Sequence, residues 1–287
     1  MAVASVIGVD GGFQLVRAKN TEEAVAQLAA DAVVIAGGTV LTPEIAREGR
    51  VGRFVDITSI TSLRELRVDA DGATIGALVS NDEIARHPML ARDFGAISKA
   101  AGWIGNPHVR RAGTLGGNLV WSLPRACLPP ALLALDAEVD LLNVDGMSTQ
   151  PISSFLRNGL PPRTLLAGVH LPALRGRQSG YLKYAWRHAT AMALVIVSVS
   201  VCRDASGALI EPRVAVGGLC RARRLPLAEK RLAGRKLDRD LIEDLAQAAS
   251  SEPPFEETDV APGESYRRGL IAAGVRQLLS EILGDLR

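Results

Sequence analysis

A chain of 287 residues, 47% hydrophobic and 22% charged, is long enough for two or three compact units around sizeable cores. A formal net charge of +2 excludes the strongly basic balance of a nucleic-acid binder. Three cysteines, Cys127, Cys202 and Cys220, with no CxxC pair, exclude a zinc site or an iron–sulfur cluster built from this chain alone and fit a reducing compartment.

In chain order, MAVASVIGVDGG lacks a basic start and meets Asp10 too early for a secretory leader. NTEEAVAQLAA predicts a helix capped at Asn20 or Thr21, with acids in its first turn, and AVVIAGG a buried strand closed by glycines. RFVDITSI is a further strand, and LRELRVDADGATIGALVS a hairpin turning at Asp71-Gly72. SNDEIARHPML predicts a helix capped at Ser80 or Asn81 and ended by Pro88; ARDFGAISKAAGWIG predicts a second, ended by Gly105 and Pro107. A glycine turn, a short helical turn and a strand follow through PPALLALDAEVDLLNV. PISSFLRNG is then a helix and TLLAGVHLP a strand. RGRQSG, Arg175 to Gly180, marks a boundary between units of 1–175 and 176–287, the first divided at about 60. Beyond it come three antiparallel strands with turns at Ser206-Gly207 and Glu211-Pro212, then two helices, DRDLIEDLAQAAS and SYRRGLIAAGVRQLLSEILGDL. The longest apolar run, AMALVIVSVSV, is too short to span a bilayer, so a cytoplasmic protein without membrane insertion is expected. CRARRLP, Cys220 to Pro226, is the densest basic patch, a solvated turn or a docking surface.

Strands and helices mix without a regular βαβ rhythm, which predicts an α+β fold. GxGxxG, GxxxxGK[ST] and HExxH motifs are absent. His87, His108, His170 and His188 show no ligand spacing, and no triad or carboxylate pair is readable, so neither a catalytic residue nor a metal ligand is assigned. Trp103, Trp121 and Trp186 are expected in the core or at subunit contacts. Two stretches share a character: VIAGGTVL, Val34 to Leu41, and AGTLGGNL, Ala112 to Leu119. Successive amides of a glycine turn make an anion-binding concavity, and Thr39, Thr114 and Asn118 add side-chain partners. A tight turn alone also requires glycine. Two such turns in one unit, with no P-loop lysine, predict a diphosphate ligand held by backbone.

The segments AGGT, IGA (Ile75 to Ala77), IGNPHVRRAGTLGGNL and LLALDAEV, with the Tyr-x-Lys strand at Tyr181 to Lys183, resemble the FAD-binding medium subunit of molybdenum hydroxylases, across nearly the whole chain. The resemblance implies a two-subdomain FAD-binding fold of the vanillyl-alcohol-oxidase type and a C-terminal three-stranded antiparallel sheet with helices. It implies that Ile35, Ala36, Gly37, Gly38, Thr39 and Val40 wrap the FAD diphosphate, and that Thr114, Leu115, Gly116, Gly117 and Asn118 form a second clamp. Ile104 and Gly105 would lie against the cofactor, Leu166 beside a ring and Lys183 near the isoalloxazine. It further implies partners: a large molybdenum-cofactor subunit and a small subunit with two iron–sulfur clusters, assembled as a dimer of heterotrimers.

The chain departs from the family at three places. Cys127 stands where an aspartate nine positions after the motif asparagine usually binds a cofactor hydroxyl; Leu123-Pro124 followed by Arg125 replaces Asp-Pro; and Ala191 replaces a second aspartate. One lost charged hydrogen bond costs roughly 1.5–3 kcal/mol, or one to two decades of affinity. Three functions are therefore weighed: an electron-transfer subunit, a stand-alone flavin oxidoreductase, and a scaffold subunit that has lost FAD.

Overall fold

The computed structural model describes residues 5–9 (backbone alone), 12–28, 32–49, 51–121, 123–173, 176–187, 190–254 and 262–284. Arg175 and His188 lie outside the described residues. The fold is α+β, with three sheets among the described residues.

The first sheet contains β1 (Ser5–Val9), β2 (Phe13–Arg17), β3 (Val33–Ile35) and β4 (Gly52–Asp56) in the order β1-β2-β4-β3, and it alone has parallel pairs. Helix α1 (Thr21–Gln27) follows β2 and is capped by Asn20, whose side chain accepts from the Glu23 amide at 2.8 Å. Helix α2 (Leu41–Glu48) leaves the first glycine loop and ends at Gly49 in the left-handed region. Asp56 closes β4 and is 5% exposed. Burial by itself would raise its carboxyl, but hydrogen bonds from Thr58 Oγ1 (2.6 Å), the Thr58 amide (2.9 Å) and Arg17 Nε (2.8 Å) outweigh it and hold it below the usual carboxylate range. A carboxyl depressed by folding stabilises fully above its unfolded pKa of about 4 and loses that contribution as pH falls through the folded value. Asp56→Ala is expected to cost about 2 kcal/mol at pH 7 in urea unfolding, and the gap from wild type should narrow as pH falls through and below the usual carboxylate range.

The second sheet is antiparallel and five-stranded: β5 (Leu66–Asp69), β6 (Gly72–Gly76), β7 (Glu138–Asn143), β8 (Gly146–Pro151) and β9 (Leu165–Pro172), in the order β5-β6-β9-β7-β8. Its first hairpin pairs Asp69 with Gly72, so the turn is Ala70-Asp71, one residue earlier than expected. Gly72 opens β6 at φ +136°, and its bare Cα faces the Leu171 backbone. The segment between β6 and β7 holds α3 (Asn81–Arg86), α4 (Pro88–Asp93), α5 (Gly95–Gly102), α6 (Pro107–Ala112), α7 (Leu115–Trp121) and α8 (Leu128–Ala134), and α9 (Ile152–Asn158) follows β8. Pro88 and Pro107 therefore start helices as well as ending them. A first helical position needs no N–H, and His87 and Asn106 cap the Leu90 and Val109 amides.

The third sheet contains β10 (Gln178–Ala185), β11 (Ala193–Arg203), β12 (Leu209–Gly217) and the two-residue edge β13 (Arg223–Arg224). The expected turn at Ser206-Gly207 joins β11 to β12, whereas Glu211-Pro212 lies inside β12, where the ladder to β11 slips at Ser200/Cys202. Helices α10 (Pro226–Leu232), α11 (Arg239–Ser251) and α12 (Glu264–Leu283) cover one face, and no helix among the described residues is long and apolar enough to cross a membrane. Residues 193–201 of β11 are buried without a break, because α5 and α8 pack on the other face. Tyr181, Ala193, Ile196 and Ala215 accordingly join the core of the second sheet, while Val195, Val197 and Val199 join that of α11 and α12. Asp136 adds a polar joint: at φ +51° it receives Arg213 Nε at 2.6 Å and Arg224 Nη1 at 2.9 Å.

Candidate functional site

The three units meet around one cavity of about 460 Å³. Val33, Val34 and Ile57 close it from the first sheet, Leu160, Leu165 and Leu166 from the second, and Lys183 and Met192 from the third. The walls are mostly aliphatic, and the polar groups gather where the two glycine stretches touch.

The first stretch runs as a loop from β3 into α2. Gly38 adopts φ +66°, and a side chain at Gly37 would overlap the carbonyl oxygen of Ala112, so this loop lies directly on the backbone that enters the second stretch. Among the described residues no acceptor meets the amides of Gly37, Gly38, Thr39 or Val40, which crowd the N-terminal end of α2. Unspent amides at a helix N-terminus form an anion site.

The second stretch differs from its reading as an open turn. Leu115–Trp121 is α7, and its leading amides are already used: Leu115 on Val79 O (2.9 Å), Gly116 on Ala77 O (2.9 Å), Gly117 on Thr114 Oγ1 (3.1 Å) and Asn118 on Thr114 O (3.0 Å). Glycine is needed at 116 because a methyl there would sit 2.9 Å from Ala77 Cβ. At Gly117 a methyl would meet only Thr114 Oγ1, at 3.1 Å. This clamp therefore offers close approach and side chains rather than amides. Asn118 Oδ1 is buried without a hydrogen-bond partner among the described residues, as is Asn81 Oδ1 on the same cavity. Buried polar groups are rarely left unpaired, at a cost of about 1–3 kcal/mol each.

Ala36, Gly37, Gly38, Thr39, Val40, Ile104, Gly105, Thr114, Gly116, Gly117, Asn118, Cys127, Leu166 and Lys183 all line the cavity. Ile35 and Leu115 do not. Ile35 lies in β3 and pairs with Asp56 of β4, and Leu115 is fully buried in the core. Val109, Trp121, Thr164 and Asn81 line it without having been picked out from the sequence. Of the tryptophans, Trp121 and Trp186 are 42% and 64% exposed, so neither is a core residue. His108 is exposed on α6.

Cys127 is 6% exposed and lies beside Lys183, whose Nζ is 3.5 Å from its Sγ and donates to Trp103 O at 3.2 Å. Tyr181 donates to Cys127 O at 3.1 Å. Burial, then the Cys127 side chain, pushes the Tyr181 phenol well above its usual range, so it stays a neutral donor. Arg110 Nη1 reaches the carbonyls of Ile104 (3.2 Å) and Gly105 (3.4 Å), fixing the wall they form. Lys183 and Arg125 face one acid, Glu44, across the cavity lining. Amides and two carboxamide oxygens without a partner among the described residues, bare glycine surfaces and a net basic lining fit a ligand that is flat and apolar at one end and carries a diphosphate and hydroxyls.

The family described as the FAD binding domain in molybdopterin dehydrogenase matches residues 11–174, and the CO dehydrogenase flavoprotein C-terminal domain matches residues 180–282. The chain is 31% identical to the 6-hydroxypseudooxynicotine dehydrogenase complex subunit alpha of Paenarthrobacter nicotinovorans, over 96% of each chain. It is 27% identical to the nicotinate dehydrogenase FAD-subunit of Eubacterium barkeri, over 88% of each. A carbon monoxide dehydrogenase structure from Hydrogenophaga pseudoflava superposes with a TM-score of 0.85 at 25% identity, over 95% of this chain and 98% of that one. The chain belongs to the family of FAD-binding medium subunits of molybdenum hydroxylase-type dehydrogenases.

Proposed function

We propose that the chain holds FAD as the electron-transfer subunit of a heterotrimeric molybdenum-dependent hydroxylase or dehydrogenase. A large molybdenum-cofactor subunit and a small iron–sulfur subunit complete the trimer, two trimers pair, and the assembly works in the cytoplasm. The observation that carries the FAD site is that Gly37 to Val40, whose four amides meet no acceptor among the described residues, line one cavity with the Asn81 and Asn118 carboxamides. When bound, FAD supplies the redox chemistry that links a partner's clusters to an external acceptor. The chain's own residues bind and orient. The α2 end and the α7 glycines hold the diphosphate, Asn118 and Thr114 bond hydroxyls, Leu166 and Ile104 flank a ring, and Lys183 places a positive charge beside it. The units 1–175 and 176–287 then share the work, the second contributing Lys183 and the Ala191-Met192 edge.

The purified chain is expected to show a flavin absorption spectrum or, stripped, to quench FAD fluorescence to one equivalent. Co-expression with neighbouring large and small subunits should give one complex in size-exclusion chromatography, since obligate interfaces commonly bury more than about 2,000 Å². A colourless chain that takes up no FAD would instead favour the scaffold reading, to which Cys127 and Ala191 point. A monomer that turns over a reduced organic substrate unaided would reject the heterotrimer.

A further inference from the structure

Asn81 is 2% exposed and stands at the first position of α3, on the cavity wall. It is not needed to start that helix: Ser80 is the cap, its side chain accepting from the Glu83 amide while Glu83 accepts from the Ser80 amide at 2.8 Å. Its backbone is already used, the N–H donating to Gly113 O at 2.9 Å. The carboxamide is not, and its Oδ1 is buried with no partner among the described residues. Position makes this informative. A methyl built on Gly113 would lie 3.0 Å from Asn81 Nδ2 and 3.4 Å from Thr39 Oγ1, so both side chains approach the same bare face of Gly113. Asn81 thus sits where the first glycine loop, with its unspent amides, lies against the entry to the second stretch.

A carboxamide both donates and accepts. Resting on the FAD reading above, we propose that Asn81 is a cofactor-positioning residue at the diphosphate. Its N–H donates to a diphosphate oxygen, and its carbonyl accepts a hydroxyl of the adjoining sugar chain. The residue type follows. Leucine has the size but neither bond, and aspartate keeps an acceptor but sets a negative charge against the diphosphate.

The test titrates FAD into the flavin-free full chain, by fluorescence quenching, for wild type, Asn81→Leu and Asn81→Asp, and records thermal unfolding of each without FAD. Losing one hydrogen bond to an ionised diphosphate oxygen and one to a hydroxyl should raise Kd by roughly two decades in the leucine variant. The aspartate variant should bind roughly tenfold more weakly still, a defect that shrinks as pH is lowered through the carboxyl range. Without FAD the leucine variant should melt no lower than wild type, because an unpaired buried group has been removed. Leucine binding FAD like wild type would overturn the assignment. Aspartate binding like wild type would overturn the diphosphate contact. A lower melting point for the leucine variant without FAD would show that Asn81 is bonded within the protein and plays a structural part. Failure of the wild type to take up FAD is a separate result, seen before any variant, and removes the underlying reading as well.

Discussion

Gly37→Ala is expected to yield a chain that cannot retain flavin. The added methyl would overlap the Ala112 carbonyl oxygen, a backbone atom that no rotamer change can move. Overpacking of side chains costs about 1–3 kcal/mol, and forcing two backbones apart costs more. The cores around β9 and β11 do not involve this contact, so they should survive while the first unit loses its seat. Far-UV circular dichroism with a loss of at least two decades of FAD affinity is the anticipated pair of observations. Gly117→Val provides the contrast. Its Cβ meets only Thr114 Oγ1 at 3.1 Å, so the protein should fold, with the remaining methyls entering the cavity. Two glycines would then fail for different reasons, one by spoiling the protein and one by excluding the cofactor. A Gly117→Val protein that folds with full flavin would place the diphosphate elsewhere.

Cys127→Asp should tighten FAD binding, by about tenfold or more. The family resemblance implies an aspartate at this position, and a carboxylate accepts hydroxyls far better than a thiol does. Burying a charge normally works against such a change. Here Lys183 Nζ is 3.5 Å from the sulfur, so the new carboxylate would find a cation already in place. Titration of the flavin-free variant decides. An unchanged or larger Kd with the fold intact would mean that the pocket is built around the thiol, and Lys183→Met in the same background should remove any gain.

Local signals gave away the elements whose pattern is strong. Asn20 followed by two acids marked α1, and the apolar run of β11 marked one of three antiparallel strands. The short helices were harder, because proline stops one helix and starts the next with equal ease. What decides is the residue before it, and His87 and Asn106 are both able to cap. Gly116 and Gly117 read as a turn on propensity, yet Val79 accepts the Leu115 amide and Ala77 the Gly116 amide, and the segment is drawn into a helix. The same division holds at the site. Gly37 to Thr39 could be found from composition alone, whereas Asn81, Thr164 and Met192 reach the cavity only through long-range pairing. The contact between Cys127 and Lys183 spans 56 residues of sequence. Asn81 did leave one trace: an asparagine directly after a capping serine, where the helix has no use for it.

The sharing of Tyr181, Ala193, Ile196 and Ala215 with the core of the second sheet bears on how this protein can be recombined. Two family profiles meet near residues 174 and 180, inviting chimeras that graft the C-terminal part of one relative onto the flavin half of another. Such a splice would transplant one side of a closely packed joint, together with the Arg213 and Arg224 grips on Asp136, and leave the other side behind. Chimeras should become well-folded only when Asp136 and the facing positions of α5 and α8 travel with the graft. The unit of exchange is therefore the joint, not the profile.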